Sequence, residues 1–299
     1  MTGLFPFPPR WGQRTYIMGI LNITPDSFSG DGLLSHRDLV QAALEQAGRF
    51  VGAGADILDI GGESTRPGAQ PVSAVEEIER IVPVVRAVAK LAAEAGVVIS
   101  VDTYKAEVAE AALEAGAHWI NDVWGLRADP YLAEVAAGRK VPLVLMHNRS
   151  RPTNAELQQR LGGRYVGMVY RDLLAEVRLE LQESIALAHA AGISDECIIL
   201  DPGIGFGKTV SQNLELLNRL GDLRALGYPL LIGPSRKSFI GYTLDLPPDQ
   251  RLEGTAAAVA VGIVRGADIV RVHDVEFMVR VARMTDAIVR PSVPEEVDR

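Results

Sequence analysis

Short apolar runs recur along the chain, and each ends abruptly in charged, amide or hydroxyl residues before a stretch rich in alanine, leucine and glutamate. Continuous apolar runs of this kind are typical of strands buried on both faces, which are usually parallel and joined by helices. Eight such repeats predict an α/β fold, a (β/α)8 TIM barrel. The eight runs are 16–21, 56–60, 97–101, 117–120, 142–146, 197–200, 229–232 and 268–270.

The length of the chain fits one barrel with short additions at its ends. A TIM barrel takes about 250 residues, and this chain has 299. We therefore predict an N-terminal extension at 1–15, a single barrel domain at 16–291 and a C-terminal tail at 292–299. Because active sites of such barrels lie at the carboxyl ends of the strands, the polar residues that end the eight runs are expected to meet in one cleft.

Helix signals separate the predicted strands. Ser73 followed by Glu76 and Glu77 predicts a capped helix start, and Gly96 predicts the end of that helix after Ala95. Three loops on the expected catalytic side are longer than a minimal barrel needs, at 24–37, 66–72 and 148–163, and are candidates to cover the site. Glycines at further predicted helix exits are Gly52, Gly54, Gly116, Gly192, Gly227 and Gly266.

Composition narrows the class of protein. The chain is 47% hydrophobic with a formal net charge of −8, which disfavours non-specific nucleic-acid binding because that affinity depends on cations. The single cysteine, Cys197, cannot form an internal disulfide and is expected to be buried. No apolar run reaches the roughly 18 residues of a membrane span, and prolines interrupt the first residues. We therefore expect a cytoplasmic protein without a membrane partner.

A glycine-rich stretch at 201–209 follows the sixth predicted strand. It matches neither the phosphate-binding P-loop, because Pro202 replaces the first glycine, nor the dinucleotide fingerprint, because Lys208 replaces the last one. What remains is Asp201 followed by a backbone with few side chains, which allows a flat ligand to approach closely while Phe206 offers a stacking face. A tight turn without a ligand is the alternative interpretation.

Seven segments taken together resemble the dihydropteroate synthase family, and the resemblance covers nearly the whole barrel. It implies that the protein joins 4-aminobenzoate to 6-hydroxymethyl-7,8-dihydropterin pyrophosphate, releasing pyrophosphate with the help of Mg²⁺. The reaction substitutes the pyrophosphate on an exocyclic CH₂ by a dissociative route, so no covalent enzyme intermediate is expected. The segments are 18–29, 59–68, 100–103, 120–122, 201–208, 233–239 and 271–273.

By this resemblance, Asp102, Asn121 and Asp201 accept hydrogen bonds from the pterin ring while Lys237 donates to it. Carboxylate and amide acceptors suit the N–H edge and exocyclic amine of a pterin. For Asp102 or Asp201 alone, a helix cap is the competing interpretation, since each lies between a strand and a helix.

The leaving pyrophosphate needs local positive charge in an acidic protein. Arg271 and His273 alternate with Val272, so both are expected on one face of the last strand, where they would clamp the anion. The resemblance assigns Asn22 to Mg²⁺, an ion that takes oxygen ligands and keeps most of its waters. Lys237, Arg271, His273 and Asp102 are the four residues expected to act in catalysis.

The resemblance also implies that the loops after the first two strands close over the site and help to form the aminobenzoate pocket. The further residues expected to contact substrates there are Phe28, Thr65, Arg66, Pro67 and Ser238, with Met146 and Phe206 packing on the pterin. Within this pocket the resemblance implies that Thr65 also extends towards the phosphates and Ser238 towards the carboxylate.

The chain departs from the family pattern at two places. Asp31 is displaced by one position in the first loop, and Asn148 and Ser150 replace the usual residues after the fifth strand, so the roles of these positions are open. His147 could be a satisfied core histidine. A pterin-dependent methyltransferase is one alternative, but it does not need the phosphate-directed pair or the loop that contains Arg66. A non-catalytic pterin-binding paralogue is the other, but it has little reason to keep both Asn22 and the loops that cover the site. A homodimer formed through the late helices is expected by resemblance only.

Overall fold

The computed structural model describes residues 9–24, 36–65 and 69–290, and these ranges contain eight parallel strands surrounded by helices. In the sheet, neighbouring strands lie in the order 198–201, 143–146, 119–122, 98–102, 57–61, 16–22, 269–272 and 231–232. A parallel bridge between Leu200 and Leu230 joins the two ends of this order. The predicted TIM barrel is confirmed. Its strands are β1 (Tyr16–Asn22), β2 (Ile57–Gly61), β3 (Val98–Asp102), β4 (Trp119–Asp122), β5 (Leu143–Met146), β8 (Ile198–Asp201), β9 (Leu231–Ile232) and β10 (Ile269–Val272).

Helices alternate with these strands, and one hairpin interrupts the alternation. The strands β6 (Ala155–Gln158) and β7 (Gly162–Tyr165) pair antiparallel within the long segment after β5. Two helices instead of one lie between β9 and β10. The described α-helices are α1 (His36–Ala53), α2 (Ala74–Ala95), α3 (Ala106–Ala115), α4 (Tyr131–Arg139), α5 (Leu173–Ala190), α6 (Val210–Asn218), α7 (Ser238–Leu244), α8 (Leu252–Val264) and α9 (Val275–Val289). None of these described helices is both long and apolar enough to cross a membrane.

The predicted punctuation of the helices is confirmed with one exception. The Ser73 hydroxyl accepts a hydrogen bond from the backbone N–H of Glu76 at 3.2 Å and caps α2, which ends at Gly96 in the left-handed conformation. The prediction for Gly52 is wrong, because this residue lies inside α1 and Gly54 follows the helix end instead. Positive φ angles are also found at Gly54, Gly116, Gly192, Gly227 and Gly266.

The barrel interior is divided into an apolar and a polar layer. Alternate residues of a strand point to the same face, and the residues near the amino ends form a buried apolar cluster inside the barrel. Asp59, Asn121, Asp201 and Arg271 each lie two positions beyond a member of this cluster, so they point inward one layer higher. The cluster consists of Tyr16, Met18, Ile57, Val98, Trp119, Val144, Ile199, Leu231 and Ile269.

The segment before β1 closes the opposite, amino end of the barrel. The Trp11 ring packs edge-on against Tyr16 with a centroid distance of 5.2 Å. The Gly12 N–H donates to Asp268 at 2.7 Å, and Thr15 donates to Asp286 through both its N–H and its hydroxyl, at 2.7 and 2.8 Å. These contacts leave the carboxyl ends of the strands as the open mouth. The domain boundaries at 15 and 291 stay predictions.

Candidate active site

Four polar side chains form a connected network at the carboxyl ends of the strands. Arg271 on β10 donates from Nε to Asp59 Oδ2 at 2.6 Å and from Nη2 to Asp102 Oδ2 at 2.5 Å. The Asn121 amide nitrogen donates to the same Asp59 oxygen at 3.0 Å. The barrel thus brings the predicted residues Asp102, Asn121 and Arg271 together, around a carboxylate at Asp59 that the sequence analysis had not singled out.

The sequence does contain a signal for Asp59, namely a charged residue inside an apolar run. It interrupts the apolar run of β2 and lies on the same strand face as Ile57 and Gly61, which places it inside the barrel. Its exposed fraction is 0%. A buried carboxylate in such a place is stable only when it is paired and hydrogen-bonded, so a partner from another strand was to be expected.

Burial disfavours the charged form of two carboxylates at the site, Asp102 and Asp201. Burial raises the pKa of Asp102 to about 7, although Arg271 lowers it, and the nearby Asp59 adds to the rise. Burial likewise raises the pKa of Asp201, against the effect of Lys237 and of the Gly203 N–H that donates to Asp201 at 2.7 Å. Burial opposes the charge of Arg271, but the two carboxylates outweigh this effect and raise its pKa.

Lys237 packs against the glycine-rich loop that follows β8. Its ammonium donates to the Ile204 carbonyl and lies 4.4 Å from the centroid of the Phe206 ring. Burial lowers the pKa of Lys237 to about 8, while the carboxylate of Asp201 opposes that shift. A Cβ at Gly205 would lie 2.6 Å from Lys237 Cδ, so a residue without a side chain is needed for this approach.

The glycine-rich loop is both a turn and a platform. The Asp201 side chain accepts from the backbone of Gly203, as expected for the turn interpretation. At the same time the loop presents Phe206 beneath Lys237. Asp102, by contrast, does not cap the following helix, because the first N–H of α3, at Ala106, donates to Asp129 at 2.8 Å.

A second buried network, absent from the sequence-based expectations, supports this loop. Lys208, with an exposed fraction of 1%, donates to His147 Nδ1 at 2.9 Å and to the carbonyls of Gly203 and Phe206 at 2.9 and 3.0 Å. His147 Nε2 lies 3.2 Å from Glu180 Oε2 without hydrogen-bond alignment, and this contact is an ion pair only when the ring is protonated. Burial lowers the pKa of His147 to about 3 and lowers the pKa of Lys208.

The residues that depart from the family pattern after β5 belong to the same support. The buried Asn148 side chain donates to the Val123 carbonyl at 3.0 Å and accepts from the Ser150 N–H at 2.8 Å. His147 is a buried core histidine whose Nδ1 is bonded to Lys208, whereas its Nε2 has no hydrogen-bond partner among the described residues. Asn148 thus joins the segment after β5 to the Val123 carbonyl and to Ser150.

His273 and the turn after β9 meet at Ser235. The backbone N–H of His273 donates to the Ser235 hydroxyl at 3.2 Å, and the ring nitrogen Nδ1 lies 3.0 Å from the same oxygen. Arg236, with a positive φ of 57°, donates from Nε to Asp274 at 2.9 Å and from its N–H to the Thr255 hydroxyl at 3.0 Å. These bonds fix the turn that carries Lys237.

The remaining predicted residues occupy the rim or lie outside the described ranges. Met146 is buried and is paired with Asp201 across β5 and β8. Ser238 begins α7, Thr65 is half-buried, and Asn22 ends β1 opposite Gly61. Among the described residues no cluster of three or more His, Cys, Asp or Glu can hold a metal ion by itself. The predicted residues outside the described ranges are Phe28, Asp31, Arg66 and Pro67.

The chain is similar to known proteins over most of its length. A family model described as "Pterin binding enzyme" matches residues 18–273. The dihydropteroate synthase of Clostridium beijerinckii is 50% identical over 280 residues, which are 93% of this chain and 96% of that protein. A dihydropteroate synthase from Clostridium difficile, solved in the presence of pteroic acid, is 47% identical, with a TM-score of 0.83 over 94% of this chain and 98% of that one. The Xanthomonas albilineans enzyme in complex with 7,8-dihydropteroate is 39% identical, with a TM-score of 0.79 over 94% and 95%.

Proposed function

The chain belongs to the pterin-binding enzymes and, among them, to the dihydropteroate synthases, and from this premise we propose how its own residues perform the transfer. Such an enzyme is a transferase that joins 4-aminobenzoate to 6-hydroxymethyl-7,8-dihydropterin pyrophosphate. The products are 7,8-dihydropteroate and pyrophosphate. The observation that carries the residue assignments is the single inward-facing network of Asp59, Asp102, Asn121 and Arg271 at the barrel mouth.

The pterin ring is held by the acceptors at the strand ends. Asp102 and Asp201 accept from its N–H groups, and the Asn121 oxygen accepts from its exocyclic amine, since the Asn121 nitrogen is already bonded to Asp59. Lys237 donates to the ring atoms that accept, and its ammonium is within reach because it lies over Phe206. Phe206 and Met146 pack against the ring faces.

The pyrophosphate leaves from the exocyclic CH₂ of the pterin. The C–O bond breaks, its electron pair goes to the phosphate oxygen, and the dihydropterin ring shares the positive charge of the CH₂. Arg271 and His273 bind the departing anion; neither carboxylate bond of Arg271 uses Nη1. The amine of 4-aminobenzoate then forms the new C–N bond and loses a proton. The protein supplies position and charge, not a nucleophile.

Mg²⁺ is the metal that fits the residues present. Asn22 offers one neutral oxygen at the end of β1, and the described residues hold no carboxylate cluster nearby that would bind an ion without substrate. An ion that keeps its waters and takes further ligands from phosphates suits such a site. When bound, it neutralises charge on the leaving pyrophosphate.

The second substrate is assigned to the rim. Thr65, Arg66, Pro67 and Ser238 are proposed to contact 4-aminobenzoate; Thr65 and Ser238 follow strand ends at the open mouth, which supports their assignment. Arg66 and Pro67 are proposed by resemblance alone. A homodimer formed through α8 and α9 is proposed on the same ground, supported by exposed apolar residues on both helices. The cytoplasmic location stays a prediction from the sequence.

A direct assay tests the function. The protein is mixed with Mg²⁺, dihydropterin pyrophosphate and 4-aminobenzoate, and pyrophosphate and dihydropteroate are measured together. Equal amounts of both products are expected. Lys237→Met, which keeps the aliphatic chain against Gly205, should lower kcat/KM by about a hundredfold or more, whereas Lys90→Met at an exposed site of α2 should not.

Two outcomes would contradict the proposal. Pterin binding without either product would point to a non-catalytic paralogue, and transfer of a methyl group without pyrophosphate release would point to a methyltransferase. Full activity in Lys237→Met would remove this lysine from the mechanism while leaving the overall reaction intact.

A further inference from the structure

We propose that Lys105 is a positioning residue for the synthase reaction: it joins both ends of the segment that follows β2 and so fixes Thr65 at the barrel mouth. The inference rests on the proposed function, which assigns Thr65 to 4-aminobenzoate. It concerns a side chain that is not expected to touch either substrate.

The Lys105 ammonium contacts three separate parts of the chain. It donates to Glu63 Oε2 at 2.5 Å, to the Val72 carbonyl at 2.7 Å and to Glu77 Oε2 at 2.5 Å. Glu63 lies directly after β2, Val72 lies just before the cap of α2, and Glu77 lies in the first turns of α2. All three protons of the ammonium are therefore used to hold the two ends of one segment.

Glu63 adds two further bonds to this junction. Its carboxylate accepts from the Val72 N–H at 3.3 Å and from the Tyr104 hydroxyl at 3.1 Å. Residues 63 and 72 are thus joined twice, directly and through Lys105. A residue close to a fixed position loses less conformational freedom when it binds a ligand, so fixing Glu63 prepares Thr65 for binding.

The start of the segment is also packed tightly against α2. The Arg80 guanidinium donates to the Gly62 carbonyl at 2.8 Å, and a Cβ at Gly62 would lie 2.8 Å from Ile81 Cγ2 and 2.9 Å from Glu77 Cγ. Movement of Glu63 therefore has to displace Glu77 as well. Lys105 is the cation that keeps these two carboxylates together.

Lys105 also connects this segment to the pterin site. It follows Asp102 by three residues at the end of β3, so the backbone that places the pterin acceptor also carries the lysine. Removal of the lysine side chain leaves the β3 backbone and Asp102 in place, because strand pairing with β2 and β4 holds them. A Lys105 variant should therefore bind 4-aminobenzoate more weakly while it binds dihydropterin pyrophosphate as the wild-type enzyme does.

The test compares two variants with the wild-type enzyme. Lys105→Met leaves Glu77, which is 1% exposed, as a buried charge without its partner, so part of any effect comes from lost stability. The double variant Lys105→Met/Glu77→Met removes both charges and restores stability, yet it leaves Val72 and Glu63 without the ammonium. Lys90→Met serves as the matched control, since Lys90 is exposed on the surface of α2 and forms an ion pair with Glu94 of the same helix at 3.9 Å.

For each protein the dissociation constant of dihydropterin pyrophosphate, the KM for 4-aminobenzoate, kcat and the thermal unfolding midpoint are measured. Both Lys105 variants should raise the KM for 4-aminobenzoate by roughly tenfold or more with the pterin dissociation constant unchanged, and the double variant should unfold near the wild-type temperature.

Recovery of the wild-type KM in the double variant would overturn the inference, because lost stability alone would then explain the single variant. An equal rise in the pterin dissociation constant would overturn it as well. An inactive wild-type enzyme would instead contradict the proposed function, so the two failures are distinguishable.

Discussion

Asp59 shows how one side chain organises several others. Its Oδ2 accepts from both Arg271 and Asn121, whereas Oδ1 has no hydrogen-bond partner among the described residues. Bonding to the Asn121 nitrogen leaves the amide oxygen available as the acceptor that a pterin amine requires. The cost of burying the carboxylate is offset by these charged and polar partners.

Asp59→Asn tests this role. The amide oxygen can still accept a hydrogen bond, but the neutral side chain loses the ion pair with Arg271, so Arg271 and Asn121 are held less firmly. We expect dihydropterin pyrophosphate to bind roughly 10- to 100-fold more weakly, which corresponds to about 1.5–3 kcal/mol for hydrogen bonds to a charged group. Isothermal titration calorimetry measures this change.

Asp56→Asn provides the comparison, because Asp56 accepts from Arg14 at 2.5 Å on the closed side of the barrel. Pterin affinity should stay at the wild-type value in that variant. Equal losses in the two variants would mean that Asp59 acts only through stability.

The titration of Asp102 and Lys237 predicts a pH optimum. Burial raises the pKa of Asp102 to about 7, so this acceptor is lost by protonation as pH falls below about 7. Burial lowers the pKa of Lys237 to about 8, so this donor loses its charge as pH rises above about 8. The kcat/KM for the pterin substrate should be bell-shaped with a maximum between these values.

For Asp102, the pH dependence of folding stability has the opposite sign to the pH dependence of kcat/KM. Because its pKa in the folded protein lies above the ordinary value of 3.8, its stabilising contribution is present at low pH and is lost as pH rises through about 7.

The variant Asp102→Asn tests the assignment of the acidic limb of the kcat/KM profile. Its side chain does not titrate in this range, so the acidic limb should be absent. Persistence of that limb in the variant would assign it to another group.

At the scale of elements, the glycine-rich loop after β8 and the segment after β5 fit together by backbone contact. A Cβ at Gly203 would lie 1.8 Å from the His147 carbonyl oxygen, and one at Gly207 would lie 2.3 Å from the Arg149 carbonyl carbon. Lys208 also joins these two segments, because its ammonium donates to His147 and to the Gly203 carbonyl. The platform for Phe206 thus depends on two loops that are distant in sequence.

Gly207→Ala and Gly192→Ala form a matched pair that isolates this contact. Both residues have positive φ, at 61° and 89°, but nothing lies within 4 Å of a Cβ at Gly192. We expect Gly192→Ala to lower the free energy of unfolding by about 1 kcal/mol and Gly207→Ala by about 3 kcal/mol, measured by urea denaturation. Similar losses in both would show that backbone strain alone matters.

At the scale of the whole molecule, closure of the barrel leaves exposed apolar side chains on α8 and α9. Phe277, Met284 and Ile288 on α9 have exposed fractions of 48%, 64% and 69%, and Val261 and Val264 on α8 have 42% and 55%. A surface of this kind is typical of a contact between subunits. It supports the proposed homodimer.

The double variant Met284→Glu/Ile288→Glu tests the dimer. Two carboxylates in an apolar contact are costly to bury, so we expect the variant to sediment as a monomer and the wild-type protein as a dimer. Leu179→Glu on α5, at a side chain with 57% exposure, should leave the dimer intact. A monomeric wild-type protein in analytical ultracentrifugation would contradict the proposed assembly.

The chain's local patterns determined the elements of the barrel. Short, mainly apolar runs predicted eight buried strands, and each strand lies within a few residues of its predicted range because the signal is contained in neighbouring residues. Ser73 and Gly96 predicted the bounds of α2 for the same reason. The hairpin of β6 and β7 was not predicted, because its strands lack an alternation of apolar and polar residues. Its loop is stabilised by a residue distant in sequence, since Arg251 donates to the Leu161 carbonyl at 2.9 Å.

Only the tertiary structure decided which polar residues are partners. Arg271 is separated by 212 residues from Asp59 and by 169 residues from Asp102, and the period of a strand fixes the face of each side chain but not its neighbour across the barrel. Nothing in the neighbouring sequence identifies the partners of Lys105, and only the fold brings Glu63, Val72 and Glu77 around its ammonium. Partners are set by closure of the barrel, which depends on the whole chain, whereas strands and caps depend on a few adjacent residues.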